Sequence, residues 1–304
     1  THDWDNKVVP KSVKKILKKY DLMGTYNPDV PVNQDLELAD RFFEAGLELA
    51  ETIGIQCTDT ETVAKFSRQE LLDALKQTPE DLVLGNGPDQ VILKARTPED
   101  KTKPLFATPL SIHIDEDIYE ELVSELIRYK NIDILQGPSI DTVYGIPAFS
   151  GTPFETAAGI REAQLREAAI WRAGRPGIPQ MVMSSSVTEF GFMVGYAANE
   201  KPGRVQVGIG LQPSEIKTNY CNFNKMMTAA AFGGYLRTGC PSMIGGYSGP
   251  PEGSVVANIA TDILQFAVFG ADISACSLFD VRQNTVCCRS GLWAMSMSVQ
   301  ATSR

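Results

Sequence analysis

The sequence predicts an α/β protein with a TIM-type (β/α)8 barrel, preceded by an extension of helices and a β-hairpin. From residue 116 onward, short apolar runs alternate with long helical segments, which is typical of parallel βαβ units. No predicted strand leads into a GxGxxG or GxxxxGK turn, which disfavours a dinucleotide-binding or P-loop protein. Polar side chains recur where the predicted strands end, and barrel enzymes place their active sites at that end. A doubly wound sheet is the alternative that the alternation alone leaves open.

Size, charge and cysteine content indicate a globular cytoplasmic enzyme. The chain has 304 residues, of which 43% are apolar, so it can bury a large core. Its net charge is −9, and lysines and arginines cluster only in the first twenty residues, which disfavours nucleic-acid and anionic-membrane partners. The six cysteines form no CxxC pair and are interpreted as reduced thiols. No apolar run approaches the ~20 residues of a membrane span.

Residues 1–115 are predicted to form the helical and hairpin extension. The basic residues of the first helix have two interpretations, an arm for an acidic partner or a solvated helix face. The second helix has Asn33 or Asp35 as its cap, and the third begins with the capping box Ser67 to Glu70. The predicted elements are helices at 9–22, 33–54 and 67–79, and a hairpin at 80–96.

Residues 116–304 are predicted to form the barrel. Its longest helix has Thr152 as cap and Pro153 at the first helical position. The predicted elements are helices at 115–131, 151–177, 214–236 and 254–269, and strands at 132–140, 178–186, 204–212, 241–249 and 271–281. About five strands fit between residues 131 and 280, whereas a barrel needs eight. We therefore expect that a C-terminal portion of the barrel is missing from this chain.

The histidine content limits the chemistry of the site. Only His2 and His113 are present, one at the terminus and one in a predicted loop. A Ser-His-Asp triad or a multi-histidine metal site is therefore disfavoured, and we expect no bound metal. Acid-base chemistry would depend on carboxylates or tyrosines.

Polar residues at the predicted strand ends form the candidate site. A rim rich in hydroxyl groups suits hydrogen bonding to a small polar substrate, and Asp280 with Arg282 could hold a charged one. The structural alternative is that the serines cap the next element and that Asp280 pairs with Arg282. The catalytic candidates are Glu189, Tyr247 and Arg282, and the substrate-binding candidates here are Ser184, Ser186, Gln212 and Asp280.

Several segments carry a resemblance to a known family. They include "FFEAGLELAETIGIQCTDTETVAKFSRQELLDAL", "LVLGNGPDQV" and "SGTPFETAAGIREAQLREAAIWRAGRPG", with CTDT at 57–60 and Leu-Gly-x-Gly-x-Asp at 84–89 as the most specific pieces. In these segments the chain resembles the monomethylamine methyltransferase family. The resemblance implies a TIM barrel with an N-terminal extension, a homo-oligomer and a longer chain. It also implies methyl transfer from methylamine to a corrinoid protein, so the cobalt cofactor belongs to the partner and none is bound directly.

One family residue is replaced in this chain. In the family, the residues after "AGRPG" lead to a pyrrolysine whose imine captures the amine, and counting without gaps places that position at Met181. Methionine cannot form such an adduct, and no lysine stands nearby to replace it. An acidic residue of the family's cavity falls at or near Gly239. The resemblance therefore implies a pyrrolysine-free relative whose donor needs no capture, such as a quaternary amine.

Two functions follow from this resemblance. The first is a methyltransferase in which Met181 binds a methylated amine, helped by Met183, Phe190 and Tyr247 through sulfur and cation-π contacts. Core packing is the alternative role for the methionines. The second is a non-catalytic paralogue that binds a corrinoid protein or stabilises an assembly. A barrel lyase or hydrolase would need a metal or phosphate site that we do not find in the sequence.

Overall fold

The computed structural model describes residues 1–94, 101–108, 112–182, 188–199, 206–213, 215–280 and Trp293. At 182, 240–241 and 275–280 it describes the backbone but not the side chains. Its helices are α1 (Val9–Lys19), α2 (Leu36–Ile53), α3 (Arg68–Gln77), α4 (Glu116–Ile127), α5 (Pro153–Arg172), α6 (Glu189–Ala197), α7 (Tyr220–Ala231) and α8 (Pro251–Phe269). Its strands are β1 (Ile55–Cys57), β2 (Thr62–Ala64), β3 (Asp81–Leu84), β4 (Val91–Lys94), β5 (His113–Ile114), β6 (Leu135–Gln136), β7 (Ser139–Ile140), β8 (Thr142–Val143), β9 (Ile146–Pro147), β10 (Gln180–Val182), β11 (Gln206–Leu211), β12 (Lys217–Thr218), β13 (Tyr235–Ile244) and β14 (Ile273–Asp280). None of the helices in these ranges is long and apolar enough to cross a membrane.

The main sheet has five parallel strands in the order β6, β10, β11, β13, β14. This spatial order is also the order along the chain, and helices α5 to α8 lie one by one between successive strands. A doubly wound sheet reverses its strand order at a switch point, whereas a (β/α)8 barrel runs sequentially. The described strands therefore follow the barrel arrangement.

The predicted helix at 214–236 and strand at 241–249 have wrong boundaries. Lys217 and Thr218 pair in parallel with β1, so the helix cannot begin before them. It begins after Asn219, whose side-chain Oδ1 accepts a hydrogen bond of 2.9 Å from Asn222 N. Gly233, at φ +69°, ends the helix. The following residues from Tyr235 pair with both β11 and β14, so the strand starts earlier than predicted.

The N-terminal helices match their predicted signals. Asp35 caps α2 by accepting a 3.0 Å hydrogen bond from Leu38 N, and Ser67 with Glu70 forms the capping box of α3. Helix α1 buries Val13 and Leu17 while most of its lysines lie in solvent, which is the solvated-face interpretation.

The extension packs on the barrel rather than standing apart from it. Helices α1, α2 and α3 share one apolar core with α8. At Gly46 of α2 the approach is so close that a Cβ would lie 2.5 Å from Ile259 Cγ2. Ala107 forms a parallel bridge with Ile134, next to β6. The division of the chain at residue 115 stays a prediction.

The predicted hairpin at 80–96 is present as β3 and β4, and it closes the N-terminal end of the sheet. Asp89 in its turn accepts hydrogen bonds from Arg175 Nε at 2.8 Å and Gly177 N at 3.2 Å, just before β10. Gly85 has φ +78°, and a Cβ there would lie 2.6 Å from Gly177 O. Only glycine allows this contact.

Candidate active site

The inner face of the sheet is defined by the alternation of side chains along β11. Val207 and Ile209 lie in one apolar cluster with Met181 and the hairpin residues Leu82 and Leu84. The glycines between them face the opposite way, because a Cβ at position 208 or 210 would contact helix α7. The odd-numbered residues of β11 therefore point into the barrel.

Strand register extends this face into two rows, which we call the chamber. The lower row lies next to the hairpin and consists of Gln136, Met181, Val207 and Tyr235. The upper row consists of Ile209, Arg237 and Ile273. Leu211 and Gly239 follow toward the C-terminal ends of the strands.

Met181 lies in the lower row of the chamber with only 9% of its surface exposed. It packs against Val207 and Ile209 from the neighbouring strand, above the hairpin leucines. Two other residues were predicted to act with Met181. Phe190 lines a separate surface groove at the start of α5, and Met183 falls outside the described residues.

Arg237 is the one charged side chain among the inner positions that the structure describes. It stands between Ile209 and Ile273 in the register, and it is partly buried. Within the described ranges it makes no hydrogen bond or ion pair. Burial lowers the pKa of the guanidinium, although arginine remains protonated at neutral pH. The candidate residues chosen from the sequence did not include Arg237.

Glu189 lies at the start of α6, on the rim of the barrel. It accepts a 3.0 Å hydrogen bond from Asn224 Nδ2 of α7. A hydrogen bond from its own backbone amide, with that from Asn224, holds the pKa of Glu189 below its usual value. This side chain is therefore an ionised carboxylate at neutral pH.

Buried Glu155 fixes the start of α6. Its Oε1 accepts hydrogen bonds from Thr188 Oγ1 and, at 3.3 Å, from Gly191 N. Its Oε2 accepts from Gly151 N. Thr152 is the N-cap residue of α5 as predicted, but its hydroxyl donates to Phe149 O instead of accepting from the helix.

The loops after β11 and β13 are joined through Glu215, which is completely buried. Its Oε1 accepts hydrogen bonds from Met243 N at 2.9 Å and Ser248 Oγ at 3.1 Å. Burial raises the pKa of Glu215, and these two hydrogen bonds oppose the shift. Tyr247 lies in the second loop, with its ring centroid 5.5 Å from Lys217 Nζ.

The remaining candidates differ in how far the structure describes them. Gln212 is buried just after β11, and neither atom of its side-chain amide has a hydrogen-bond partner in the described parts of the chain. Asp280 ends β14 at the same C-terminal end of the sheet, and its side chain is not described. Ser184, Ser186 and Arg282 lie outside the described residues. Four candidates, Glu189, Gln212, Tyr247 and Asp280, thus lie at or just beyond the C-terminal ends of the strands, and their roles stay predictions.

No group of three histidine, cysteine, aspartate or glutamate side chains in the described ranges could hold a metal ion. The chamber instead offers one guanidinium, a glutamine, a tyrosine and apolar side chains. Such a set can orient a small polar molecule by hydrogen bonding, charge and shape.

Comparison with known proteins identifies the family. The family model "Monomethylamine methyltransferase MtmB" matches residues 1–304. MtmB1 of Methanosarcina acetivorans is 26% identical over 276 residues, covering 88% of this chain and 58% of that protein. MtmB3 of Methanosarcina barkeri is 27% identical over 272 residues, covering 86% of this chain and 56% of that protein.

Solved structures show the same fold. The crystal structure of the Methanosarcina barkeri enzyme MtmB matches with a TM-score of 0.92 at 23% identity, over 99% of this chain and 65% of that one. The hydroxylamine complex of MtmB matches equally well. These likenesses confirm the predicted TIM barrel, and the chain spans little more than half the length of the curated relatives. Because the family model covers all 304 residues, the chain belongs to the monomethylamine methyltransferase MtmB family.

Proposed function

We propose that the full-length protein transfers a methyl group from a methylated amine to the cobalt of a corrinoid protein. The observation that carries the proposal is the match of the MtmB family model to the whole chain. The relatives are named as monomethylamine methyltransferases, and the chamber residues include polar groups that can orient a small donor. By the same resemblance we propose a cytoplasmic homo-oligomer.

The chamber is the proposed donor site, and Met181 determines the type of chemistry. Met181 occupies the position that the resemblance gives to a capturing imine, so the donor would stay free rather than covalently bound. The N–CH3 bond breaks, the methyl group passes to reduced cobalt, and the amine leaves with the electron pair. Reduced cobalt is itself a strong nucleophile, so the barrel supplies mainly position and orientation.

The rim residues are the proposed polar part of the site. We assign catalytic roles to Glu189, Tyr247 and Arg282, which would stabilise charge near the leaving amine. Substrate binding is assigned to Met181, Ser184, Ser186, Gln212 and Asp280. Replacing Glu189 or Tyr247 by Ala is expected to lower the rate of cobalt methylation at least about tenfold without unfolding the protein. Unchanged rates would refute these assignments.

A second function is supported by Met181 itself. A chain without the capturing residue could serve as a scaffold that binds the corrinoid protein without methylating it. This alternative predicts tight binding of the partner and no transfer from any amine.

One experiment separates the two functions. The full-length protein is incubated with reduced corrinoid protein and a series of mono-, di-, tri- and tetramethylated amines, with and without a carboxylate group, and the visible spectrum of cobalt is followed. The enzyme function predicts the methyl-cobalt spectrum with at least one donor. Binding of the corrinoid protein without methylation by any donor would establish the scaffold function instead.

A further inference from the structure

The charge of the chamber is unusual for a site that would bind an organic cation. Arg237 lies on the inner face of β13, in the row above Met181. Its neighbours in that row, Ile209 and Ile273, are apolar. None of the inner side chains that the structure describes is a carboxylate.

An arginine in this position lacks the partner that a buried charge normally has. Buried charges are usually paired, because removing them from water without a counter-charge is costly. Arg237 makes no ion pair and no hydrogen bond in the described part of the chain. Its planar group of five N–H donors is suited to two-point contact with a carboxylate.

We propose that Arg237 binds an anionic group of the methyl donor, so that the donor is an N-methylated amine carrying a carboxylate. This inference rests on the proposed function and specifies its substrate class. A simple methylammonium ion would meet a like charge in the chamber, and the described inner side chains offer no carboxylate to offset it. A carboxylated donor would place its anion against Arg237 and leave its N-methyl group among the apolar chamber residues.

The test compares pairs of ligands that differ at the anion. N-methylglycine is paired with N-methylethanolamine, and N,N,N-trimethylglycine with choline, so each pair has the same amine with or without a carboxylate. Inorganic phosphate serves as a probe for general anion binding. Affinities are measured by calorimetry on the full-length protein, and cobalt methylation is measured in parallel.

The expected result is a preference of tenfold or more for the carboxylated member of at least one pair, and weak binding of phosphate. Arg237→Gln should lose that preference, and Arg237→Lys should keep part of it, since the charge remains but the two-point contact does not. Arg128→Gln, at the exposed end of α4, is the matched control and should bind like the wild type. Because an unpaired charge is removed, the ligand-free Arg237→Gln protein should fold and have a melting temperature no lower than the wild type's.

Equal affinity within both pairs, or a preference that Arg237→Gln leaves unchanged, would overturn the proposal. Phosphate binding without any carboxylate preference would also overturn it. Arg237-dependent carboxylate binding without cobalt methylation would support the anion site while refuting the enzyme function. Methylation of cobalt from simple amines at the same rate in Arg237→Gln as in the wild type would support the enzyme function while refuting the anion site.

Discussion

Glu215 and Arg237 are two ionisable residues of the barrel whose surroundings differ. Glu215 is completely buried and joins two loops through hydrogen bonds to its Oε1. Arg237 faces the chamber without a partner in the described ranges. A buried group whose hydrogen bonds hold two loops together is typical of a structural role, whereas a charged group without a partner is typical of a binding site. We therefore expect Glu215 to affect stability and Arg237 to affect ligand choice.

Glu215→Gln should change how stability depends on pH. The pKa of Glu215 in the folded protein lies above its unfolded value of about 4.3, so the folded state keeps a proton that the unfolded chain releases. The free energy of unfolding of the wild type therefore falls as the pH rises from about 4.3 up to the folded-state pKa. Glutamine cannot ionise, so the stability of the variant relative to the wild type should be greater at pH 8 than at pH 5.

Urea unfolding at pH 5 and pH 8 measures this difference. Glu125→Gln, on the exposed surface of α4, is the control and should follow the wild type at both values. If Glu215→Gln also follows the wild type, the buried carboxyl does not titrate as its surroundings imply.

The chamber residues show what the sequence could and could not reveal. Met181 was singled out because its segment carries a recognisable family pattern. Arg237 was missed because the predicted helix at 214–236 ended directly before it. That prediction hid the alternation of Tyr235, Arg237 and Gly239 along one face of a strand. That alternation becomes visible only when pairing with β11 and β14 fixes the start of β13.

Among the helices and strands, the connection between the hairpin and the barrel includes a partly buried ion pair between Arg175 and Asp89. Arg175 Nη1 donates to Ile127 O at 3.1 Å and Ile132 O at 2.7 Å, while its Nε donates to Asp89. The Leu-Gly-x-Gly-x-Asp pattern thus has a physical explanation, since Gly85 permits close approach and Asp89 holds the hairpin in place.

Asp89→Ala should destabilise the protein by about 3 kcal/mol, because it leaves the half-buried Arg175 without its carboxylate. Asp89→Asn should recover part of the loss by accepting from Gly177 N. The exposed Asp73→Ala serves as control. Urea unfolding is the measurement, and a loss no larger than that of Asp73→Ala would contradict this role.

Helices α5 and α6 touch through their glycines. A Cβ at Gly159 would lie 2.4 Å from Gly191 O, and one at Gly195 would lie 2.9 Å from Gly159 O. Gly159→Ala should therefore lower the free energy of unfolding by about 1–3 kcal/mol, despite the better helix propensity of alanine. Thermal unfolding measures this effect. A rise in melting temperature, as in an uncrowded helix, would show that the contact is not tight.

Local signals predicted some boundaries well and others poorly. The caps of α2 and α3 were correct, because each depends on residues a few positions apart. The start of α7 was wrong, because it depends on β12 pairing with β1, which lies far away in the sequence. Pairing of that kind leaves no pattern within the segment itself.

For the molecule as a whole, the order of the strands decided between the two architectures. Alternating strands and helices predicted parallel βαβ units, and the sequential order of the five-stranded sheet corresponds to the barrel. The sequence did not indicate that α1 to α3 would share a core with α8. This shared core shows why the extension and the barrel have to be tested together in the full chain.

The proposed function depends on whether the methyl donor occupies the chamber above Met181. The most direct measurement follows the cobalt spectrum with the full-length protein and its Met181→Trp and Met181→Leu variants. Tryptophan would fill the chamber, whereas leucine conserves its volume. We expect Met181→Trp to lose methylation at least about tenfold while it still binds the corrinoid protein, and Met181→Leu to retain it. Methylation by Met181→Trp at the wild-type rate would contradict a donor site in the chamber.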